Sequence, residues 1–549
     1  MLTYFSRCLR RTILRACVAG FVGVVCIFGV VCAPAQTVPS AAAISSAADH
    51  GRILLVLPFD NRTGQPSLEW IREAAAELLS SRFDSAGFAP MSRADRMYAL
   101  DHLGLPQGFQ PSRASSLKLA QTLDADSIVV GSYQTDRGQI VASAQIVDVP
   151  HLRMGPAVTA RGDMSDMIDV FDSLAWKLTK QLDPSFSVAE ETFVAAGKSI
   201  RLDAFEQYIR GITEPDESES VRHLGQAVKV SPDLSPAWMA LGREEFTGQE
   251  YEQAASAFSK VDHRGPDGLE AGFYRGMALL FSGQYALAER EFADVARVLP
   301  LAEVVNNEAV AMSRQGHDGT SLFIQAAAND PTQADYHFNL AVSLNRHGNR
   351  TAALNELAQS LKLRPNDSEA QALLVTWKAE ANGSGANGVV SPVSKSRPGA
   401  PSAVTGTGSA ATGSAVAVSA VKGSVDPLER IVRTFDASAF RQAAMMMDQL
   451  DASRLATLAP MEQAQKLCTQ ARGYLDRGLL LEAERLYQAA VADDAKDAEA
   501  HAGLAEVRER SGDSDGAGKE ANTALKLQPT NAAAQEILRQ IAARNGLNK

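Results

Sequence analysis

Cysteine is scarce in this 549-residue chain and unevenly placed. Four of the five (Cys8, Cys17, Cys26, Cys32) fall in the first 35 residues, which leaves Cys468 alone beyond them. One cysteine closes no internal disulfide, and no Cys/His cluster has zinc-ligand spacing. Cys468 is therefore expected as a small helix-packing residue. Aromatics make up only 6%, too few to favour β-sandwich cores, while abundant alanine suits close helix packing. Positive charge is also short. A net charge of −11 excludes a nucleic-acid partner, since phosphate binding needs concentrated Lys and Arg.

Catalytic constellations are missing as well. There is no H-E-x-x-H or calcium loop. Gly383–Gly388 fits G-x-G-x-x-G, but without the strand and helix that aim amides at a pyrophosphate. Gly197-Lys198-Ser199 ends like a phosphate loop, yet Thr192 stands where the first glycine is needed. His337 and His347 are expected in solvent, and Glu214, Asp216, Glu217 and Glu219 in a solvated loop. The chain is expected to be non-enzymatic, with no catalytic, cofactor-binding or metal-ligating residue.

What is present begins with a targeting pattern. Arg7, Arg10, Arg11 and Arg15 precede an apolar stretch from Cys17 to Cys32, and Ala33-Pro34-Ala35 supplies a cleavage site. Removal of residues 1–35 leaves a charge of about −15. Export to the periplasm or cell envelope is expected. Two alternatives stand beside it: an uncleaved inner-membrane anchor, from about 16 apolar residues, just short of a typical span, and a lipidated Cys32, where Val31 is bulky for the processing peptidase.

Four stretches follow. Residues 51–185 mix strand and helix signals, and residues 198–380 are helical. Residues 381–425 are Gly, Ser, Ala, Val, Thr and Pro without an acidic side chain, the composition of a disordered linker. Residues 426–546 are expected to be helical again, with the AFRQAAMMMDQL stretch (Met445–Met447) as a buried helix beside the last repeats. Within the helical parts the strongest signal is a period of 34. Pro232, Pro266 and Pro300 keep that step; Pro331 follows after 31, and Pro365 after 34. Phe258 and Phe292, Ala254 and Ala288, Gly478 and Gly512, and Ala483 and Ala517 are each 34 apart.

A 34-residue unit of two antiparallel helices, with a small residue at their contact and a closing proline, resembles the tetratricopeptide repeat. The best copies are GFYRGMALLFSGQYALAEREFADVARVLP and HFNLAVSLNRHGNRTAALNELAQSLKLRP. The resemblance implies about five units in 198–380 and two in 426–546, capped by helices 368–380 and 531–544. The third unit is short, which predicts a tightened turn near Gly316–Thr320. The first unit, AFEQYIRGITEPDESESVRHLGQAVKVSP, is expected to carry a polar insert in its turn. In that family the first helix of each unit lines a binding groove. Carried onto this sequence, the groove positions are Met239, Arg243, Phe273, Met277, Asn307, Arg314, Phe338 and Asn345. In the later pair they are Cys468, Arg472, Glu506 and Glu509. Arg243, Asn307, Arg314 and Asn345 would hold a peptide backbone or carboxylate, with Phe273 and Phe338 as apolar anchors. The family's Lys/Asn carboxylate clamp is not matched, so a chain-end ligand is not implied.

In the amino-terminal stretch the period is two. Ile53–Leu57, Ser127–Tyr133 and Gln139–Val147 read as strands, and 68–83, 93–103, 113–123 and 164–182 as helices. Asp60 and Asn61 suit a tight loop after Pro58, and Ser67 a helix cap. LPFDNRTGQPSLEW, SAGFAPMSRADR and LDADSIVVGSYQTDRGQIVASAQIVD resemble the small TolB-like or FlgO-like domain of bacterial envelope proteins. The fold class is thus α+β: a small mixed-sheet α/β domain followed by an all-α solenoid in two segments. The function expected is an exported, non-catalytic scaffold whose arrays bind a protein or peptide partner. The alternative is a small-molecule or glycan sensor, with the ligand at the Asp60–Gln65 loop and the repeats relaying its occupancy.

Overall fold

The structure is a computed structural model that describes residues 53–106, 112–195, 200–263, 265, 267–383, 427–433 and 453–547. The export segment, residues 384–425 of the linker, Gly197–Ser199 and Met445–Met447 lie outside the described residues; residues 381–383, read as linker, continue a helix.

The chain first builds a mixed sheet. Strands β1 (Ile53–Val56), β2 (Asp60–Asn61), β3 (Ala89–Pro90), β4 (Ser127–Asp136), β5 (Gln139–Asp148), β6 (Arg153–Met154) and β7 (Val158–Asp163) are joined by α1 (Ile71–Ser85), α2 (Arg93–His102) and α3 (Arg113–Thr122), and α4 (Met167–Leu182) follows. β3, β1 and β4 run parallel, and β5 then pairs antiparallel with both β4 and β7. Successive strand side chains point to opposite faces. Leu54 and Val56 meet Ile71, Phe83 and Phe171, whereas Leu55 and Leu57 meet Ala99, Leu100 and Leu119. With both faces covered by helices, β1 reads as an unbroken apolar run. Arg82 of α1 and Asp172 of α4, both buried, form an ion pair at 2.8 Å. Loss of either partner would cost about 3–5 kcal/mol.

Two details differ from expectation. β7 had no sequence signal, because in VTARGD only Ala160 is buried. Ser67 caps nothing: it sits inside a 3₁₀ turn, Pro66–Leu68, and α1 starts at Ile71 with Trp70 before it and no side-chain cap bond.

After α5 (Glu190–Ala195) the helices pair. The first array comprises α6 (Leu202–Thr213) with α7 (Glu217–Val230), α8 (Ser235–Thr247) with α9 (Tyr251–Phe258), α10 (Gly268–Phe281) with α11 (Tyr285–Val298), α12 (Ala302–Arg314) with α13 (Thr320–Asn329), and α14 (Ala334–Arg346) with α15 (Arg350–Leu363), followed by α16 (Ser368–Gly383). The second comprises α17 (Pro460–Asp476) with α18 (Leu480–Asp493) and α19 (Ala498–Ser511) with α20 (Ser514–Leu527), followed by α21 (Ala532–Leu547). Gly283, Gly348 and Gly478 sit at φ +78°, +79° and +79° in the turns, a conformation that favours glycine over any residue with a Cβ. Gly242 and Gly276 let the paired helices approach: a Cβ there would lie 2.7 Å from Phe258 and 2.8 Å from Phe292 respectively.

The helical part corrects four expectations. In the short unit, α12 with α13, the missing residues come out of the helix, not the turn. α13 has 10 residues where α11 and α15 have 14, and Asp318 closes the longer turn by accepting from Thr320 N at 2.9 Å. The first unit has no insert. Asp216 N-caps α7 through Glu219 N at 3.0 Å, which places Glu217 and Glu219 in the helix. His337 is buried, with Nδ1 2.7 Å from Glu356 Oε2, so it ties α14 to α15 and does not face solvent. Finally, Pro427–Arg433 form no helix and belong with the first array.

One core runs from the sheet through Phe193, Phe205, Ile209 and Leu224 of the first helices to Leu481 of α18. The second array meets the α/β domain through polar bonds as well. Arg485 donates to Ser85 O at 2.8 Å, Gln488 to Ser187 O at 3.2 Å, and Ala189 N to Glu484 Oε1 at 3.3 Å. No helix among the described residues is long and apolar enough to cross a membrane.

Candidate functional site

The first helices of the later units present three asparagines that are fully buried: Asn306 and Asn307 on α12 and Asn339 on α14. A helix uses its own N–H and C=O groups internally, so only side chains can satisfy another chain's backbone lying across it. A carboxamide carries one donor group and one acceptor, the same complement as a peptide unit. Two of these asparagines use both. Val432 N donates to Asn307 Oδ1 at 3.0 Å, and Asn307 Nδ2 donates to Val432 O at 2.8 Å. Arg430 N donates to Asn339 Oδ1 at 2.6 Å, and Asn339 Nδ2 donates to Arg430 O at 2.7 Å. Asn306 Nδ2 adds a second donor to Arg430 O at 3.2 Å, and Asn306 Oδ1 accepts from Asn339 at 2.8 Å. In an extended chain, residues two apart show the same edge, which is why 430 and 432 are both held.

Side chains of the segment then enter distinct environments. Glu429, 1% exposed at its side chain, receives bonds from Ser313 Oγ and Arg346 Nη1. Arg314 donates to Glu429 O at 2.9 Å and lies 3.8 Å from Glu429 Oε2. Arg346 also reaches Pro427 O at 2.6 Å. Arg430 turns the opposite way. Its guanidinium lies 3.6 Å from the centroid of the Phe338 ring and donates to Asp335 at 2.9 Å, Asp367 at 2.5 and 3.0 Å, and Glu369 at 2.8 Å. Val432 is buried in the core of α10–α13, and Arg433 covers Phe281 at 4.8 Å. Burial raises the Asp335 carboxyl, but bonds from Arg364 and Arg430 outweigh it and hold it below the usual range. The Arg430 bond does the same for Asp367. For Arg430, burial opposes the charge, and the three carboxylates more than restore it.

Of the residues nominated from sequence, Asn307, Arg314 and Phe338 touch this segment. Asn345 is half-buried on α14, and its Oδ1 has no hydrogen-bond partner among the described residues. Met277 is buried, and its sulfur accepts from Asn307 at 3.2 Å. Met239 and Phe273 lie in the core between units, Phe273 edge-on to Phe292. Arg243 pairs with Glu270 of the next unit at 2.5 Å. In the second array Arg472 bonds Glu506 at 2.6 Å, and Glu509 pairs with Arg544 at 2.7 Å. Burial pushes the Cys468 thiol up to about 12, the state of an inert packing residue.

Sequence reasoning missed Asn306, Asn339, Ser313, Arg346, Asp335 and Asp367. Asn306 and Asn339 are 33 apart, out of step with both the 31 and the 34 spacing. The Asp60–Gln65 stretch is not the free loop expected: Asp60–Asn61 form β2 beside β4, Asn61 Oδ1 accepts from Thr63 N at 3.0 Å, and Asn61 Nδ2 donates to Gln65 O at 3.2 Å and to Glu69 Oε2 at 2.9 Å. Among the described residues, no group of three or more His, Cys, Asp or Glu could hold a metal ion.

Residues 239–302 and 468–546 match the family model of the tetratricopeptide repeat. Similar solved structures include MamA, with 14% identity over 30% of this chain and 96% of that one (TM-score 0.28). YrrB, described as a TPR protein with an unusual peptide-binding site, is 16% identical over 37% of this chain and 98% of its own (TM-score 0.28). The LpoB C-terminal domain from Salmonella enterica is 20% identical over 22% of this chain and 87% of its own (TM-score 0.20). No curated protein matches in sequence. The period of 34, the helix pairs and the family model agree that this chain carries tetratricopeptide repeats, arranged as a solenoid behind a mixed-sheet α/β domain.

Proposed function

We propose that this protein is a non-catalytic interaction scaffold of the cell envelope, whose first repeat array receives an extended peptide segment of a protein partner. One observation carries the reading. Asn307 and Asn339 each hold both backbone groups of one residue in an extended segment, an arrangement that serves peptide recognition and no chemistry. The α/β domain and the second array dock on one another through Glu484, Arg485 and Gln488, as parts of a shared platform. Envelope residence rests on the basic, apolar and A-x-A pattern of residues 1–35.

The groove is tested by fluorescence anisotropy with a labelled PLERIVR peptide. The protein is the full chain with residues 427–433 replaced by a Gly/Ser segment of equal length. Saturable binding is expected, weakened at least tenfold by Asn307→Ala with Asn339→Ala. No binding at millimolar protein would overturn the reading. Export is tested separately by fusing residues 1–35 to a phosphatase that is active only outside the cytoplasm; an inactive fusion would remove the envelope assignment.

A further inference from the structure

We infer that Pro427–Arg433 is a built-in competitor, which closes the groove against a partner segment carrying the same Glu-Arg-x-aliphatic pattern. The inference rests on the groove being a peptide site and adds both what it selects and how it is kept shut.

Selection follows from the two charged environments and their order. Glu429 meets Ser313, Arg314 and Arg346, and the adjacent Arg430 meets Asp335, Asp367 and Glu369. A segment with the two charges exchanged would place a cation against two arginines and an anion against three carboxylates. Such repulsion rejects wrong partners more strongly than missing contacts do. Val432 is buried, so an aliphatic residue is required two places on, while Leu428 is 61% exposed and is not read. The partner is therefore a protein with an extended Glu-Arg-x-(Val/Ile/Leu) segment.

Closure follows from the tether. Forty-three residues separate Gly383, the end of α16, from Pro427. A segment linked to its groove through one chain acts at an effective concentration on the order of 1 mM. If the segment binds with an intrinsic Kd of about 10 µM, closure weakens a partner's apparent affinity about 100-fold. The partner then gains access only by exceeding that threshold or when the segment is drawn out.

The test compares three full-length proteins by anisotropy: wild type, Arg430→Ala, and the chain with 427–433 replaced by Gly/Ser. Two labelled peptides are used, PLERIVR and the order-swapped PLREIVR. Wild type should bind PLERIVR about 100-fold more weakly than the replaced chain. Arg430→Ala, made in the competitor itself, should strengthen binding of the added peptide at least tenfold. PLREIVR should bind none of the three. Equal affinity of wild type and replaced chain for PLERIVR would overturn the competitor and leave the groove standing. Equal binding of the two peptides would overturn the selectivity. No binding to the replaced chain would remove the groove reading itself. Concentration-dependent dimers of wild type, absent in the replaced chain, would show that the segment fills a neighbour's groove and would overturn closure within one chain.

Discussion

Asn339 and Arg430, 91 residues apart in sequence, hold each other through two reciprocal hydrogen bonds of 2.6 and 2.7 Å. The side chain of one supplies both partners for the backbone of the other. With Asn307 and Val432 repeating the pattern, a bundle of helices acts as if it had a strand edge.

Asn339→Ala takes the only acceptor described for the Arg430 N–H, while Asn306 still serves the carbonyl. An unpaired buried donor costs about 1–3 kcal/mol, so peptide affinity in the chain with 427–433 replaced should fall roughly 5- to 150-fold. Isothermal titration against PLERIVR measures this. An unchanged affinity would mean that the backbone is not what the groove holds.

Acid should open the groove. Asp335 and Asp367 lie below the usual carboxylate range while Arg430 is docked. A depressed pKa contributes stability that is present above the undocked value and is lost as pH falls through the docked one. Docking should therefore be constant from neutral pH to about 4 and weaken progressively below it. A fluorophore pair on residues 375 and 428, both exposed, follows the separation. No change down to pH 3 would contradict the role of the two carboxylates.

The seam between the α/β domain and the first helices should respond in the opposite sense. Glu77, beside Tyr208 of α6, is raised to about 7 by burial and by Glu73. Raised carboxylates are protonated more readily in the folded state, so stability falls as pH rises from about 4.5 to 7. Glu77→Gln should flatten that slope and raise Tm at pH 8 by about 2 °C. A slope identical to wild type in thermal melts would exclude Glu77 as its source.

Glu484 is fully buried and joins Arg508 of α19, Gln488 of α18 and Ala189 N. Glu484→Ala leaves a half-buried arginine with its remaining partners Glu520 and Asp513 and should cost about 3 kcal/mol. The second array should then swing free, seen as a larger radius in small-angle scattering. An unaltered radius and unchanged melting would show that the apolar contact at Leu481 suffices alone.

The repeats were legible because their physics is periodic. Each unit must place a small residue opposite a large one, as Gly242 faces Phe258 and Gly276 faces Phe292, and that demand recurs every 34 residues. The site was legible only where it shares the period, as at Asn307, Arg314 and Phe338. Met239 and Phe273 hold equivalent places in earlier units, but there they fill the seam between units. The same repeat position meets the segment in one unit and fills the seam in another, and spacing does not resolve the two. The occupant was hidden for a different reason. Its seven residues have no periodicity, and their fit depends on charges 61 to 115 residues away, from Glu369 to Arg314. β7 was missed because an edge strand with one buried residue has almost no apolar pattern.

The central claim is that Pro427–Arg433 occupies the groove of its own chain through the backbone of alternate residues. Hydrogen exchange resolved at single amides in the full-length wild type tests it most directly. Occupancy predicts slow exchange at Arg430 and Val432, fast exchange at Ile431 between them, and loss of that protection in Asn307→Ala with Asn339→Ala. Fast exchange at all three amides in the wild type would contradict it.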